Sequence, residues 1–332
     1  MIPSKSKFFK PDTGVFYNPE TEEKIAIVTG GNQGIGYFTV LHLYLHGYTI
    51  YVLGRNEEKC LTAIEDIKKE AEERRSKYSE TESSSRFLGK INYIKCDLTS
   101  LRSVEAAAKE FIKKEQKLDL LINNAGIMAA PYSETEDGIE IQFQVNAVSP
   151  LLLTLELLPY LGKAKGARVI TVSSIAHTFA AKYLKPEDKL TKFPEQLYRF
   201  LRYSRSKLGV VHFTKALAKK RPDILFLAVH PGVIQSGLYD STFASYSFLG
   251  PVIKTVFFKS ISFMAISQEE GSLASLRSAL DTNLTLENNG DYFIEGGVDS
   301  QASKIGQNPE YIKYTWDWCI NKLSEEGFKF DI

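Results

Sequence analysis

Cysteine is scarce in this chain. Cys60, Cys96 and Cys319 are the only three in 332 residues. They lie too far apart for a disulfide framework or a paired-cysteine metal site, and read as reduced packing residues on the cytosolic side of any membrane. Charge of one sign is also lacking: 41 basic against 40 acidic residues leave a net charge of +1. Without a basic field, nucleic acid is not expected as a partner. No run reaches the ~18 uninterrupted apolar residues of a membrane-spanning helix. The opening MIPSKSKFFKPDTG has no apolar signal core. Its Phe8 and Phe9, flanked by lysines, are expected to dock on the fold or stay disordered rather than touch a membrane. Internal repeats are absent. What remains is a globular chain whose length permits one or two domains, with a single α/β domain as the default.

The most informative stretch runs from Lys24 to Gly36, KIAIVTGGNQGIG. An apolar, β-branched run stops at a glycine-rich turn, and an amphipathic stretch follows from Tyr37 to His46. That pattern reads as a buried strand turning sharply into a helix. The glycines allow close backbone approach, and a helix N-terminus presents unpaired N–H groups to an anion such as a pyrophosphate.

The chain then alternates strands and helices. Tyr48–Leu53 reads as a second strand ending at Gly54-Arg55-Asn56. An acid at this strand end would bond the adenosine ribose of NAD, whereas a base accommodates the 2′-phosphate of NADP. No acid is present and Arg55 is, which favours NADP(H) over NAD(H). The alternative is that Arg55 caps a loop or pairs with Glu57 or Glu58. A charged helix over 57–72 leads into a polar, serine-rich expansion, 73–90, expected as an exposed loop. Ile91–Leu98 is a third strand, where Asp97 is placed either to bond an adenine amino group or, like Ser100, to cap the helix over 101–116. Leu118–Gly126 closes a fourth strand on the turn Asn123-Asn124-Ala125-Gly126. A helical segment over 137–162 holds Asn146 among apolar neighbours, where its amide needs partners. A fifth strand ends at Ser173-Ser174. Tyr203-Ser-Arg-Ser-Lys207 opens a helix reaching Lys220, and a sixth strand breaks at Pro231-Gly232. This rhythm is that of a doubly wound parallel sheet with helices on both faces, a single-domain Rossmann fold.

These motifs resemble the short-chain dehydrogenase/reductases over roughly residues 22–300. The retinol-dehydrogenase-like and WW-domain-oxidoreductase-like branch, with its fungal lipid-droplet members, is the most similar. The resemblance implies an oxidoreductase with Ser174, Tyr203, Lys207 and Asn146 as a catalytic tetrad. It implies a cofactor site made of Gly30, Asn32, Gln33, Gly34, Ile35, Gly36, Arg55, Asp97, Leu98, Asn124, Ala125, Gly126, Tyr203, Lys207, Pro231, Gly232, Val233 and Ser236. Pro231-Gly232 followed by Ser236 is similar to the family's Pro-Gly-x-x-x-Thr segment, which holds the nicotinamide carboxamide. Serine replaces threonine but keeps the hydroxyl. The Ser174–Tyr203 interval is longer than in most members, so the wall of the substrate cleft is rebuilt.

Tyr203 and Lys207 lie four apart and share a helix face. A phenol near pKa ~10 is a poor base at neutral pH, and an adjacent ammonium favours its phenolate. Tyr203 is then the general acid/base, Ser174 orients and polarises the substrate oxygen, and Lys207 also holds the nicotinamide ribose, as the resemblance implies. Asn146 is expected to hold a water joining Lys207 to solvent. Bound nicotinamide carries the hydride, and carbonyl reduction is the expected direction in cells. His177 is expected as a hydrogen-bonded loop histidine rather than part of the cleft mouth. No metal site is expected.

Two aromatic-rich regions bear on substrate, Thr178–Phe200 and Phe243–Ile266. The second, interrupted by Lys254 and Lys259, reads either as an interfacial segment or as a lid packed on the core. The expected organisation is an extension over 1–22, the α/β domain over 23–300 with an apolar insertion at 240–266, and a helical extension over 301–332. The expected activity is NADP(H)-dependent exchange of hydride with an apolar alcohol, aldehyde or ketone of retinoid, steroid or lipid type. It is expected at a lipid-droplet or endoplasmic-reticulum surface, contacted through 244–265, or otherwise in the cytoplasm. A non-catalytic dinucleotide sensor or scaffold at such a surface is the alternative. The C-terminal aromatics, Trp316 and Trp318, are expected to dock on the core or to form a homodimer contact.

Overall fold

Ten strands and eight helices organise the described residues of the computed structural model, which are 3–179, 182–234 and 265–332. The strands are β1 (Ile25–Thr29), β2 (Thr49–Gly54), β3 (Lys90–Lys95), β4 (Leu120–Asn123), β5 (Arg168–Val172), β6 (Leu225–Val229), β7 (Val233–Ile234), β8 (Ala265–Ile266), β9 (Tyr292–Ile294) and β10 (Val298–Ser300). Eight of them form one sheet in the order β10-β9-β6-β5-β4-β1-β2-β3. Every neighbouring pair is parallel except β9 with β10. Parallel strands need crossovers, and helices cover both faces. The fold is therefore the expected Rossmann-type α/β architecture.

The strands alternate between two cores. Ile25 and Ile27 of β1 join one cluster, with α4 (Leu101–Lys114), α5 (Ile141–Leu161), α6 (Glu195–Lys220) and α8 (Pro309–Glu325). Ala26 and Val28 point the other way, against α1 (Gly34–Leu45), α2 (Glu57–Arg75) and α7 (Gln268–Leu280). A short helix, α3 (Glu80–Ser85), carries a Ser79–Glu82 capping box. The serine-rich stretch is thus not all loop: α2 runs three residues past 72 and α3 follows.

Three other expectations need correction. Gly290–Ile294, which from its sequence reads as a last edge strand, is not an edge, because the chain turns at Glu295–Gly297 and adds β10 outside β9. Tyr203 does not open its helix; α6 begins at Glu195, eight residues earlier, so the Tyr203–Lys207 pair sits mid-helix. The helix over 137–162 starts at Ile141, and Gln144–Val148 form a π turn inside it. α5 is long and apolar enough to cross a membrane, yet 89% of its apolar window is buried in the protein, which makes it a core helix.

Both extensions are built into the fold. Phe8 and Phe9 pack on the second core, and the Phe9 N–H donates to the Gly296 carbonyl at 2.8 Å. Trp316, Cys319 and Leu323 of α8 lie inside the first core, while Trp318 meets Phe143 edge to face at 5.5 Å. The paired strands β7 and β8, with Val233 opposite Ala265 and Ile234 opposite Ile266, bring together the two ends of 235–264. That segment lies outside the described residues, with Ser236 and nearly all of the apolar insertion.

Trp316→Ala should cost about 3–5 kcal/mol of stability, as large-to-small changes in a core do. A denaturant midpoint equal to wild type would show that α8 is not part of the folding unit.

Candidate active site

The glycine turn owes its shape to crowding on one side and openness on the other. A Cβ on Gly36 would lie 2.2 Å from the Gly30 carbonyl oxygen and 2.6 Å from Asn124 Nδ2, so only glycine lets α1 start this close to the turn. A Cβ on Gly34, at φ +59°, would meet no atom of the described residues within 4 Å, so the space over it is open among them. Gln33 stands at the N-cap without a side-chain cap bond, which leaves first-turn N–H groups of α1 for an incoming ligand. A pyrophosphate fits this cradle.

The neighbouring turn is stapled to it. Thr29 Oγ1 accepts the N–H groups of Asn124 and Ala125, each at 3.0 Å. Asn124 Nδ2 donates to the carbonyls of Thr29 at 2.9 Å and Gly30 at 3.3 Å. Asn123 instead turns inward to Thr154 Oγ1 at 3.1 Å. Thr29 was visible in the motif but had no role there; its hydroxyl holds the two turns together.

At the adenosine end, Arg55 is exposed and makes no ion pair with a described residue, so neither Glu57 nor Glu58 claims it. Asp97 Oδ1 accepts from the N–H and hydroxyl of Thr99, at 2.9 and 2.8 Å. Ser100 occupies the α4 N-cap without a side-chain bond, and the first-turn N–H of Leu101 is met by Asp137 Oδ2 at 3.0 Å. Capping by Asp97 or Ser100 is therefore replaced by capping from Asp137. Leu98 is buried, and its carbonyl accepts from Ser149 Oγ at 2.7 Å. Asn32 reaches towards Gly54, and Ile35 packs beside Gly271.

The end of β5 and the middle of α6 are tied in both directions. Lys207 Nζ donates to the Val172 carbonyl at 2.7 Å, and Ser173 Oγ donates to the Lys207 carbonyl at 2.8 Å. Ser174 Oγ accepts the Ala176 N–H at 3.1 Å, so its own proton is available for a substrate oxygen. Ala176 packs with Met128, Ala129 and Tyr203 in one small cluster. Lys207 Nζ lies 5.8 Å from the Tyr203 ring centroid. A Cβ on Gly126 would come within 3.1 Å of Asn146 Oδ1 and 3.3 Å of Lys207 Nζ. The Ser174 turn thus reaches Tyr203 through Ala176, while Lys207 and Asn146 lie beside Gly126, in the turn that packs on the glycine cradle.

Asn146, in the π turn, clamps backbone. Its Nδ2 donates to the Ile127 carbonyl at 2.9 Å and to Ser206 Oγ at 2.8 Å, and its Oδ1 accepts the Ile127 N–H at 2.8 Å. Both amide hydrogens are spent, so a water could be held only through an acceptor atom of this residue. Burial lowers the Lys207 pKa from its ordinary 10.5 to about 7.

His177 and Tyr292 support the serine turn. His177 Nδ1 donates to the Ser174 carbonyl at 2.7 Å, and its Nε2 accepts the Ser303 N–H at 3.0 Å. Both bonds fit a neutral ring, which burial favours by lowering its pKa. The Tyr292 hydroxyl is buried beside Ser173, and burial pushes that phenol up. The expected hydrogen-bonded role of His177 holds; nothing in its spacing showed that it grips Ser174. At the far end, Gly232 turns the chain against Glu295 and Ile266, and Val233 enters β7.

Residues 24–184 match the family model described as short chain dehydrogenase. A short-chain dehydrogenase/reductase of Aspergillus calidoustus, drtF, is 32% identical over 325 residues, which is 93% of this chain and 96% of that protein. Mouse retinol dehydrogenase 11 is 32% identical over 92% of this chain and 88% of its own length. Among solved structures, L-sorbose reductase of Gluconobacter frateurii, complexed with NADPH and L-sorbose, shares the fold. Its TM-score is 0.64 at 16% identity, over 88% of this chain and all of that one.

The Lys207 amine has a sign-definite consequence. Between pH 7 and 10.5 the unfolded chain binds this proton more tightly than the folded one, so burying the amine opposes folding below that window and ceases to do so above it. Lys207→Met should therefore melt higher than wild type at pH 7, with the gap closing as pH rises. An equal or lower melting temperature at pH 7 would contradict the buried, depressed amine.

Proposed function

The chain belongs to the short-chain dehydrogenase/reductase family, and we propose that it is an NADP(H)-dependent member acting on an apolar alcohol, aldehyde or ketone. The observation that carries this reading is that Lys207 bonds the end of the strand leading to Ser174, and Ala176 of the Ser174 turn packs on Tyr203, beside the glycine cradle. A dinucleotide sensor has no need of that proton-transfer set.

Bound nicotinamide dinucleotide supplies or takes up the hydride. The protein does the rest. Ser174 gives its hydroxyl proton as a hydrogen bond to the substrate oxygen. Tyr203 passes its phenolic proton to that oxygen during reduction and recovers it during oxidation. Lys207, when charged, favours the phenolate and is fixed in place by the Val172 carbonyl. Arg55, exposed and without an ion-pair partner among the described residues, is the group to meet a 2′-phosphate.

The apolar substrate class rests on what borders the site. Phe200 lies 6.3 Å from Tyr203, ring to ring, and Phe179 stacks edge-on against Phe200 at 5.5 Å. Ile175, Phe179, Phe193 and Leu197 continue outward as exposed apolar side chains. A relative named for retinol is consistent with a long hydrocarbon there. The composition of 244–265, with its lysines, supports contact with a lipid-droplet or endoplasmic-reticulum surface, so that substrate could enter from lipid.

Arg55→Ala should lower kcat/KM for NADPH by about 10–100-fold, the worth of a charge-assisted bond, and spare NADH. A wild-type preference for NADH would refute the cofactor assignment. Tyr203→Phe should keep NADPH affinity while turnover with retinal or decanal falls by about 10²–10⁴-fold. Deleting 244–265 should abolish flotation with lipid vesicles; unchanged flotation would remove the membrane assignment.

A further inference from the structure

Helix α6 buries two arginines that catalysis does not use. Arg202 precedes Tyr203 and Arg205 follows it by two, and they are 0% and 2% exposed. Three apart, they share a face different from that of Tyr203 and Lys207. Their common partner is Glu140, itself buried, with Arg205 Nη2 at 3.2 Å from Oε2 and Arg202 Nε at 3.8 Å from Oε1.

Glu140 is also the N-cap of α5, accepting the N–H groups of Gln142 at 3.1 Å and Phe143 at 3.0 Å. One carboxylate therefore joins the helix that carries Asn146 to the helix that carries Tyr203 and Lys207. The arginines reach further. Arg202 donates to the carbonyls of Leu190 at 2.6 Å and Ala130 at 3.3 Å, and to Glu195 at 2.8 Å. Arg205 donates to the carbonyls of Lys185, at 3.3 Å, and Asp188. These loops are the rebuilt wall between Ser174 and Tyr203 and the strip that follows Met128 and Ala129 on the Tyr203 ring.

That wall is strained where it is gripped. Leu190 and Ala129 hold φ of +49° and +52°, left-handed values that non-glycine residues keep only when their surroundings impose them. Arg202 bonds the carbonyl of one and the carbonyl next to the other. The cluster is also an uneconomical way to fill a core. Both guanidiniums face buried Glu140, with only the half-exposed Glu195 as a second carboxylate, and the Nε–H of each lacks a hydrogen-bond partner among the described residues; an apolar replacement of similar volume is often as stable.

We infer that Arg202, with Glu140 and Arg205, is a positioning residue that sets Tyr203 against Ser174 by locking α6 to the π-turn helix and to the cleft wall. The inference rests on the oxidoreductase reading of the site. Its test compares full-length Arg202→Lys and Arg202→Met with wild type, using NADPH with decanal and retinal as probe carbonyls. NADPH affinity, by fluorescence titration, should fall far less than turnover, because the glycine cradle and the Arg55 end, which would hold the phosphates, are built from other elements. Turnover should fall by on the order of 10-fold or more in both variants, since small misplacements of a reacting group are costly and a compact ammonium lacks the rigid fork by which Arg202 holds Leu190 with one nitrogen and Ala130 and Glu195 with another. The Tyr203 phenolate, read in the NADP-bound protein as the near-ultraviolet absorbance step missing from Tyr203→Phe, should appear at higher pH in both.

Full turnover in Arg202→Lys, or a parallel loss of NADPH affinity and turnover, would overturn the inference in favour of a charge or a general packing role. Should Arg202→Met not fold, Arg202→Lys keeps the charge and carries the test. A wild type that binds NADPH but reduces no carbonyl would sink the functional reading, while the phenolate step would still judge the clamp.

Discussion

The site depends on a reciprocal pair of hydrogen bonds where strand β5 meets helix α6: Lys207 Nζ to Val172 oxygen, and Ser173 Oγ to Lys207 oxygen. Each partner supplies what the other needs. The strand end gives the buried amine an acceptor, and the helix carbonyl receives a donor from the serine beside Ser174. A buried ammonium in an apolar site is costly, which is why its proton is held weakly. The same desolvation that weakens it in isolation strengthens its pull on any negative charge that forms nearby.

Polar groups buried around this junction are mostly working as fasteners. Thr29 joins the glycine turn to the Asn124 turn, Asn146 clamps Ile127, His177 grips the Ser174 carbonyl, and Asp137 caps α4 from a distance. Loops cannot fix geometry by apolar packing alone, and each of these bonds satisfies a backbone group that would otherwise be orphaned. The rigidity of the site is thus assembled from side chain to backbone bonds, some within one turn, like His177 to Ser174, and others between elements far apart in sequence, like Thr29 to Asn124.

How much of this the sequence showed depends on range. The glycine turn, the Asn-Asn-Ala-Gly turn and the Tyr203–Lys207 spacing were legible because each is local: a strand stop, a tight turn or one helical turn. The start of α6 was not. Glu195 to Arg202 alternates charge and aromatic residues in a way that suits an exposed loop as well as a helix, and only burial of Arg202 and Arg205 on Glu140 resolves it. β10 was missed for a similar reason: Val298–Ser300 is short and polar, and its pairing with β9 is set by the turn between them. The roles of Thr29 and Tyr292, and the Ser303 bond that orients His177, depend on partners a hundred or so residues away, which periodicity does not encode.

The two-residue ladder of β7 and β8 has an evolutionary corollary. It fastens both ends of residues 235–264 at one point on the frame, so their separation is fixed whatever lies between. Closing a longer or shorter excursion from fixed ends changes free energy slowly, by about 0.6 kcal/mol per doubling of length. Descendants of this chain can therefore exchange that portion wholesale, while the frame that holds Ser174, Tyr203 and Lys207 stays insulated from the change.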